Sequence, residues 1–289
     1  CFPGPNPCFD NDACTIDVCV GQGDCPHTVV DCNDDNLCTD DSCSPATGCA
    51  NVDNAASCTD GNPCTIGDVC NGGVCAPGSG ALPAPALFCN DTGITLPELG
   101  PATPYPSAIV VTGQPSYLCS AEVALGGISH AIPDDIDVLL ARLTGGNALV
   151  MSDVGGTSAV TGVNLTVSDA AASSLPDDGP LVSGTFVPTN FGAGDVFPAP
   201  APVPDGGSAL SVFVGTNPNG TWNLWVDDEF APEAGSLSGW CVNLVSVCTV
   251  DTDCNDGFVC TDDSCLDGFC AHANNTAACD DGNACTAND

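Results

Sequence analysis

Short apolar runs separated by turn-forming residues make up the middle of the chain. VNLTVSDA from Val163 and TWNLWV from Thr221 alternate apolar and polar residues, as a half-buried β-strand does. The pattern predicts nine strands, at residues 108–112, 120–126, 136–143, 147–151, 163–168, 181–187, 209–214, 221–227 and 240–247. Nine short strands with Gly, Pro and Asn between them predict an all-β fold, a jelly-roll β-sandwich. The expected core fillers are Trp222, Trp225, Trp240, Phe186 and Phe213.

Cysteine takes over from apolar residues at both ends of the chain. Thirteen of the 23 cysteines lie in residues 1–75 and six in residues 254–285. A Pro-, Gly- and Ala-rich linker separates the first group from the predicted strands. We therefore predict three segments: cysteine-rich repeats at 1–80, the β-sandwich at 81–248, and further irregular, disulfide-stapled repeats at 249–289. Cysteine at this density indicates disulfides and a secreted, extracellular protein.

The cysteine-rich segments repeat one unit of 24–26 residues. Units begin at Cys8, Cys32, Cys58, Cys254 and, as a partial copy, Cys279. They share the frame C-N/D-D-x-N-x-C-T-x-D, as in CNDDNLCTDD and CNDGFVCTDD. This frame resembles the CTDC-type cysteine repeat of slime-mould extracellular-matrix proteins, which also occurs in secreted bacterial proteins. The resemblance implies an extracellular matrix or surface role and no catalytic activity.

A single unit has too few apolar residues, such as Ile16, Leu37 and Val69, to bury a core. We expect two disulfides within each unit, closing loops of about ten to fifteen residues and contributing about 3 kcal/mol each. Self-contained units leave Cys1 over, as the tail of a preceding unit. Both ends of the chain then continue the array, which leaves self-association or a head-to-tail array open.

Acidic residues outnumber basic ones 37 to one, and the net charge is −36. This balance excludes a nucleic-acid binder and electrostatic docking on anionic lipid, because both need cations on the protein. No apolar stretch is long enough for membrane insertion. Only four of the acids are glutamates. Because short aspartates are typical of calcium loops, calcium is the expected cofactor, with solubility or a salty habitat as the alternatives.

Two sets of residues are candidate calcium ligands. The candidates in the repeats are Asp34, Asn36, Asp40, Asp281 and Asn283. The candidates in the sandwich are Asp134, Asp135, Asp137, Asp153, Asp227 and Asp228. Carboxylates this close repel one another unless a cation lies among them. The alternative for both sets is that the short side chains bind the N–H groups of turns.

Longer motifs of the middle segment resemble the P domain (Homo B domain) of proprotein convertases. They include GISHAIPDDIDVLL, ALSVFVGTNPNGTWNLWVDD and GSLSGWCVNLV, and they are most similar to bacterial relatives in secreted proteases and surface proteins. The resemblance implies a jelly roll like that of galactose-binding domains, in a module that stabilises a neighbouring catalytic domain in convertases. LLARLTGGN departs from the family pattern, and there we expect Arg142 to pair with a local acid or to contact a neighbour.

Four cysteines lie in or beside the predicted sandwich. The strands of Cys119 and Cys241 are expected to be neighbours, so we predict that these two residues form a disulfide. Cys89 and Cys248 flank the domain, and their pairing would close its neck. The alternative is that Cys248 serves the C-terminal repeats.

No residue set in the sequence supports catalysis, so we predict that the protein is not an enzyme. GTSAV around Ser158 is similar to a subtilisin nucleophile motif, but His27, His130 and His272 lie outside the other motifs of a triad. Four sequons mark possible glycosylation sites, at Asn90, Asn164, Asn219 and Asn274.

The leading hypothesis is a secreted structural or adhesive protein of an extracellular matrix, cell surface or filament, stabilised by calcium. Two alternatives remain. One is a carbohydrate-binding module, which would give the protein a glycan partner. The other is an accessory segment of a secreted subtilisin-like protease.

Overall fold

Strands and three single-turn 3-10 helices make up the regular structure of the computed structural model, which describes residues 8–20, 24–143, 145–192 and 194–276. No α-helix is present among these residues, and none of their helices has the length and apolar character to cross a membrane. The all-β prediction is confirmed. The chain divides into two compact units, Cys1–Ala81 and Leu82–Asp289.

The N-terminal unit consists of three short antiparallel hairpins. Their strands are β1 (Thr15–Asp17) with β2 (His27–Val29), β3 (Thr39–Ser44) with β4 (Gly48–Asp53), and β5 (Val69–Asn71) with β6 (Val74–Ala76). Between β5 and β6 lie Gly72 and Gly73, both with positive φ. A two-residue turn of this kind matches the twist of the strands and needs positive φ at both positions, which glycine adopts without strain.

The hairpins of this unit bury almost no apolar surface. Ile16 and Leu37 are exposed, and the buried side chains among the described residues of the unit are cysteines and Asp68. A hydrophobic core therefore does not hold these hairpins together, and their order depends on covalent cross-links.

Those cross-links follow a rule that differs from the predicted one. Within each unit the first cysteine bonds to the fourth: Cys8–Cys25, Cys32–Cys49 and Cys58–Cys75. The second cysteine bonds to the third of the following unit: Cys14–Cys43 and Cys38–Cys70. The expectation of two disulfides inside each unit is wrong. Its physical reason lies in the hairpin, where Cys43 and Cys49 are cross-strand partners and present two sulfurs side by side. One of these sulfurs reaches its own unit and the other reaches the preceding one.

The second unit contains two sheets. The six-stranded sheet has the order β10-β17-β12-β13-β16, with β9 also paired to β17. Its strands are β9 (Gly100–Pro101), β10 (Ser107–Val111), β12 (Ile136–Arg142), β13 (Asn147–Ser152), β16 (Thr189–Asn190) and β17 (Gly220–Asp228). Neighbouring strands are antiparallel except β13 and β16, which are parallel.

The seven-stranded sheet is centred on one long strand, β11 (Tyr117–His130). Its other strands are β7 (Ala86–Asn90), β8 (Ile94–Leu96), β14 (Val160–Ser168), β15 (Gly184–Phe186), β18 (Gly235–Leu237) and β19 (Gly239–Val247). Strand β11 pairs with β14, with β19 and, at its end, with β18. Strand β7 then extends the sheet beyond β19.

Apolar side chains from the two sheets form one continuous core. Trp222 and Leu224 come from the six-stranded sheet, Trp240 and Val242 come from the seven-stranded sheet, and all four are buried. The two sheets therefore pack as a β-sandwich. The jelly-roll connectivity of this sandwich stays a prediction.

A second, smaller core lies on the outer face of the six-stranded sheet. Alternation along β12 sends Val138 and Leu140 into the main core and Leu139 to the opposite face, where it packs with Trp225 and Phe197. Segment 194–203, which contains Phe197 and Ala201, thus covers part of this outer face. The predicted core role of the tryptophans holds, since all three are buried in one of the two cores.

The predicted strand at 209–214 is wrong. Residues Leu210–Phe213 form a 3-10 helix, with Leu210 and Phe213 buried three positions apart. The carboxylate of Asp169 accepts the N–H groups of Leu210 and Ser211 at 2.9 and 2.7 Å. This cap satisfies the first backbone donors of the helix, which a sheet partner would otherwise bind.

The predicted disulfides of the sandwich are also wrong. Cys241 bonds to Cys89, its cross-strand partner on β7, with the Cα atoms 4.0 Å apart. Strands β11 and β19 are neighbours as expected, but the residue opposite Cys241 on β11 is Ala124. Register therefore excludes the pairing of Cys241 with Cys119, and Cys119 belongs to another disulfide. Cys248 bonds to Cys265, as the C-terminal alternative held.

The C-terminal repeat follows the cross-linking rule of the N-terminal unit. Its hairpin consists of β20 (Thr261–Leu266) and β21 (Phe269–Asn274), and its first cysteine, Cys254, bonds to its fourth, Cys270. Cys248, next to the end of β19, occupies the role of a preceding unit's second cysteine because its partner Cys265 is the third of this unit. The last strand of the sandwich is thereby bonded into the repeat.

Arg142, the single basic residue outside the histidines, forms no ion pair with an acid in the part of the chain that the structure describes. Its guanidinium binds Thr216 Oγ1 at 2.8 Å and the backbone carbonyls of Asn217 and Asn219, and it lies 4.7 Å from the centroid of the Trp222 ring. The expectation of a local acid partner is wrong. The physical reason is the loop beside the end of β12, whose carbonyl oxygens accept the N–H groups of the guanidinium in place of a carboxylate.

Removal of the Cys89–Cys241 bond should destabilise the sandwich. The bond closes a sequence separation of 152 residues, and the loss of such a constraint on the unfolded chain costs about 4 kcal/mol. We expect C89A/C241A to lower the free energy of unfolding by this amount in urea, followed by tryptophan fluorescence. All three tryptophans lie in the sandwich, so C58A/C75A in the other unit should leave the same transition in place.

Candidate functional site

The acidic frame of the repeats forms a network of hydrogen bonds within each loop. Asp34 Oδ1 accepts the backbone N–H of Asn36 and lies 2.9 Å from the hydroxyl of Thr39. The backbone N–H of Asp34 in turn donates to Asp41 Oδ2. Hydrogen bonds, first from the Asn51 side chain and then from the backbone of Asn36, hold the pKa of Asp34 below its ordinary value.

The same network recurs at the equivalent positions of the other described units. The threonine hydroxyl bonds to the first aspartate of the frame in the pairs Thr15–Asp10, Thr65–Asp60 and Thr261–Asp256. The last aspartate of the frame accepts that residue's N–H in the pairs Asp17–Asp10, Asp68–Asp60 and Asp263–Asp256. The Asp, Thr and Asp positions are therefore explained by the geometry of the loop.

The three candidate calcium ligands of the repeats that the structure describes, Asp34, Asn36 and Asp40, each bind an N–H group. Besides the bonds of Asp34, Asn36 Oδ1 accepts the N–H of Cys38 at 3.0 Å, and Asp40 Oδ1 accepts the side-chain amide of Asn54 at 2.9 Å. These contacts are the ones expected from the alternative to calcium binding, in which the short side chains bind N–H groups. Calcium binding by this set stays a prediction, and Asp281 and Asn283 lie outside the described residues.

Two repeats carry a histidine held between two of these aspartates. In the C-terminal hairpin, His272 is the cross-strand partner of Asp263, and its Nδ1 lies 2.7 Å from Asp263 and 3.3 Å from Asp256. His27 has the same arrangement with Asp17 and Asp10. The hydrogen bond to Asp263 is the main cause that raises the pKa of His272, and it also lowers the pKa of Asp263.

The six candidate acids of the sandwich fall into two groups on opposite faces of one sheet. Asp228 is on the inner face, since Leu224 and Val226 on the same strand face the main core. Asp137 and Asp227 are cross-strand partners on the outer face, the face of Trp225. The alternation of side chains along two adjacent strands therefore separates acids that are close together in the sequence.

The inner group is built around His130 at the end of β11. Its Nδ1 lies 2.6 Å from the carbonyl oxygen of Ile132, and its Nε2 lies 2.9 Å from Asp228 Oδ2. Both side chains of the His130–Asp228 pair are fully buried. Asp135 lies nearby, and burial together with the Asp228 charge raises its pKa to about 6. Asp134 adds a further negative charge beside Asp135.

The outer group gathers around Asp137, which is 2% exposed. Burial is the main cause that raises the pKa of Asp137, and the charges of Glu229, Asp195 and Asp153 raise it further. Burial also raises the pKa of Asp153 and of Glu229. Asp137 is therefore a buried carboxylate beside three half-buried ones, Asp153, Asp195 and Glu229.

Two polar side chains connect the members of the outer group. The Ser152 hydroxyl lies 3.4 Å from Asp153 Oδ2 and 3.2 Å from Asp195 Oδ1. The Asn190 amide nitrogen donates to Asp195 Oδ2 at 3.1 Å. Sequence reasoning missed Asp195, Asn190 and Glu229. The signal available for Glu229 was its position directly after two acids that end a strand, whereas Asp195 and Asn190 join the site only through the parallel pairing of β13 and β16.

Asp227 lies on the same outer face beside this group. Burial first, then the charges of Glu229 and Asp228, raise its pKa to about 6. Its own charge adds to the burial that raises the pKa of the Tyr105 hydroxyl. Asp227 thus extends the acidic surface toward Tyr105, which packs edge-on against Trp225.

The four predicted sequons differ in how their asparagines are bonded. Asn164 and Asn274 are exposed. The amide nitrogen of Asn90 donates to the carbonyl of Ala108, and that of Asn219 donates to the carbonyl of Gln114. Glycosylation of any of them stays a prediction.

Comparison with known proteins bears on the repeats. Residues 7–30, 31–53 and 278–288, about a fifth of the chain, match the Dictyostelium (slime mold) repeat family. The chain carries Dictyostelium-type cysteine repeats. The Dictyostelium-type repeats and their disulfides together indicate a cysteine-rich extracellular protein. No curated protein matches the chain.

The His272 cluster should give the C-terminal repeat a stability window in pH. The raised pKa of His272 contributes stability at low pH that is lost as pH rises through this pKa. The lowered pKa of Asp263 contributes stability at higher pH that is lost as pH falls through that pKa. We expect Asp263→Asn to shift the His272 titration, measured by NMR, to lower pH. Asp267→Asn, at the tip of the same hairpin, should leave the titration in place, and equal titrations in all three proteins would contradict the assignment.

Proposed function

We propose that this chain is a secreted structural or adhesive protein of an extracellular matrix, cell surface or filament. The observation that carries the proposal is the cross-linking rule of the repeats, in which each unit is bonded to the next through Cys14–Cys43 and Cys38–Cys70. Such links suit a spacer that transmits tension along a surface or fibre. An array that served only to position a soluble enzyme would not require them.

The repeats are well suited to this role because their fold does not depend on a core. With Ile16 and Leu37 exposed, solvent or tension has little apolar packing to disrupt. The disulfides restrict the unfolded chain instead. An array of such units keeps its length under conditions that unfold core-dependent domains of the same size.

The sandwich is, in this proposal, a P-domain-like interaction module without catalytic activity. Its support is that the resembling motifs lie on strands that are neighbours in the two sheets, β11 with β19 and β12 with β17. Ser158 is exposed in a loop, while the contacts of the His130 ring go to Ile132 and Asp228. A nucleophile and its base are therefore not in contact at this position.

Calcium stabilisation is part of the proposal and is supported by the outer acidic group of the sandwich, in which the buried Asp137 lies among further carboxylates. The carbohydrate-binding alternative is less well supported. Sugar sites usually present an exposed aromatic ring, and Trp222, Trp225 and Trp240 are all buried. The accessory role beside a secreted protease has no contact in this chain that favours it.

Immunogold electron microscopy on the native material tests the role directly. Label on a matrix, surface or fibre supports it. Label confined to soluble secretion contradicts it, and so does purification in complex with a subtilisin-like protease. Binding of the isolated protein to a glycan array would favour the carbohydrate-binding alternative.

Single-molecule pulling should detect the load-bearing cross-links. With its disulfides intact, the chain cannot extend the segment between Cys89 and Cys241, whose sequence separation is 152 residues. Loss of that bond in C89A/C241A should add at most roughly 500 Å of contour length, at about 3.4 Å per residue, because Cys119 inside this segment belongs to another disulfide. The cysteine-intact protein under oxidising conditions is the control. An extension of this size in the control would contradict the claim that the Cys89–Cys241 bond prevents this segment from extending.

A further inference from the structure

Four strand ends meet at one edge of the six-stranded sheet. Asp137 is near the start of β12, and Glu229 directly follows the end of the antiparallel neighbour β17. Strand β13, antiparallel to β12 on its other side, ends at Ser152 and is followed by Asp153. Strand β16 runs parallel to β13 and ends at Asn190, so it brings its last residue to the same edge. Chain topology alone therefore collects these side chains.

Three buried oxygens at this edge have no hydrogen-bond donor among the residues that the structure describes. They are Asp137 Oδ1, Asn190 Oδ1 and, on the neighbouring strand, Asp227 Oδ1. A buried acceptor without a donor costs free energy, about 1–3 kcal/mol for a neutral group and more for a charged one. The carboxylates of Asp153, Asp195 and Glu229 surround Asp137 with further negative charge. Only a donor or a cation placed among these atoms would compensate them.

The protein has no cation of its own for this place. The chain contains one Lys or Arg residue in total, Arg142. At about 3.3 Å per residue, it lies about 17 Å from Asp137 along β12. Its guanidinium binds the loop of Thr216, Asn217 and Asn219. A compensating charge at the edge must therefore come from solution.

We propose that Asp137, Asp153, Asp195 and Glu229, with the amide oxygen of Asn190, bind one calcium ion on the outer face of the six-stranded sheet. This site rests on the calcium stabilisation in the proposed function and specifies it. Two of its carboxylates, Asp195 and Glu229, and its amide were not among the sequence candidates. Asp195 lies on segment 194–203, so bound calcium would fasten that segment to the sheet.

The donor set favours calcium over other common metals. All five ligands offer hard oxygen atoms, and neither histidine nor cysteine is among them, which disfavours zinc and copper. Four carboxylates, each able to bind through one or two oxygens, suit the six to eight ligands of calcium. Magnesium demands a smaller octahedral arrangement and usually keeps several waters, so it should compete poorly.

The inner acidic group does not share this need. Asp228 has a buried partner in His130, and its Oδ1 also accepts the N–H of Phe230. Although Asp135 Oδ2 lacks a donor, the His130 charge acts favourably on Asp135. The His130 side chain thus gives the inner group a hydrogen-bond partner that the outer group lacks. The two groups can be separated by one matched pair of substitutions.

The test compares Asp137→Asn with Asp135→Asn in the full, oxidised chain. Calcium chloride is titrated into chelator-treated protein in a calorimeter, and thermal unfolding is followed by tryptophan fluorescence with and without calcium. Asp137→Asn should weaken one calcium site by about two orders of magnitude, because affinity depends on the charge count of the ligands. Without calcium, it should unfold at the same temperature as the wild type or higher, since it removes one crowded carboxylate. Asp135→Asn should keep the wild-type affinity.

Each other outcome overturns a defined part of the proposal. Wild-type calcium binding that Asp137→Asn leaves intact overturns the site and leaves calcium stabilisation standing. Weaker binding in Asp135→Asn alone would place the ion in the inner group. A wild type that binds no calcium overturns the site and the calcium part of the proposed function together. The structural role would then be judged by the immunogold label alone.

Discussion

Covalent cross-links between successive units are the constraint on which the flanking segments depend. The hairpins there bury cysteines and Asp68 but no apolar core, so their geometry is fixed by sulfur–sulfur bonds and by the hydrogen bonds of the Asp-Thr-Asp frame. The same rule continues past the sandwich, where Cys248 takes the place of a repeat cysteine. The sandwich itself is the opposite case, since its two sheets share a core of tryptophan and aliphatic side chains, to which the Cys89–Cys241 bond adds a link between neighbouring strands.

Charge imbalance shapes both kinds of structure. With 37 acids and one arginine, carboxylates have few ion-pair partners. In the repeats they accept backbone N–H groups, threonine hydroxyls and, in two units, a histidine. In the sandwich, the inner group uses His130 and the outer group around Asp137 has no such partner. The proposed calcium ion would compensate the charge of the outer group, as hydrogen-bond donors and histidines do for the other acidic groups. The guanidinium of Arg142, meanwhile, donates a hydrogen bond to the Asn219 carbonyl and lies over the Trp222 ring.

The sequence predicted strands well where burial alternates, because a period of two survives without knowledge of the partner strand. The bounds of β19, Gly239–Val247, differ from the predicted 240–247 by one residue. The strand prediction failed where a side chain that is distant in sequence determines the local backbone structure, as Asp169 does for Leu210–Phe213. Disulfide partners depend on register, so neighbouring strands were expected correctly while Cys241 was given the wrong cysteine. Part of the outer acidic group could be predicted from the sequence, because Asp137 and Asp153 lie in acidic motifs. Asp195 and Asn190 could not, because only the parallel pairing of β16 with β13 brings them to the site.

The disulfide loops of the N-terminal unit overlap from end to end. The five loops that begin at Cys8, Cys14, Cys32, Cys38 and Cys58 leave no peptide bond between Cys8 and Cys75 outside at least one of them. A protease that cuts once anywhere in this stretch therefore produces two fragments that stay joined. The N-terminal unit therefore stays covalently connected after a single cut. Its continuity is lost only when several cuts combine or when the environment becomes reducing.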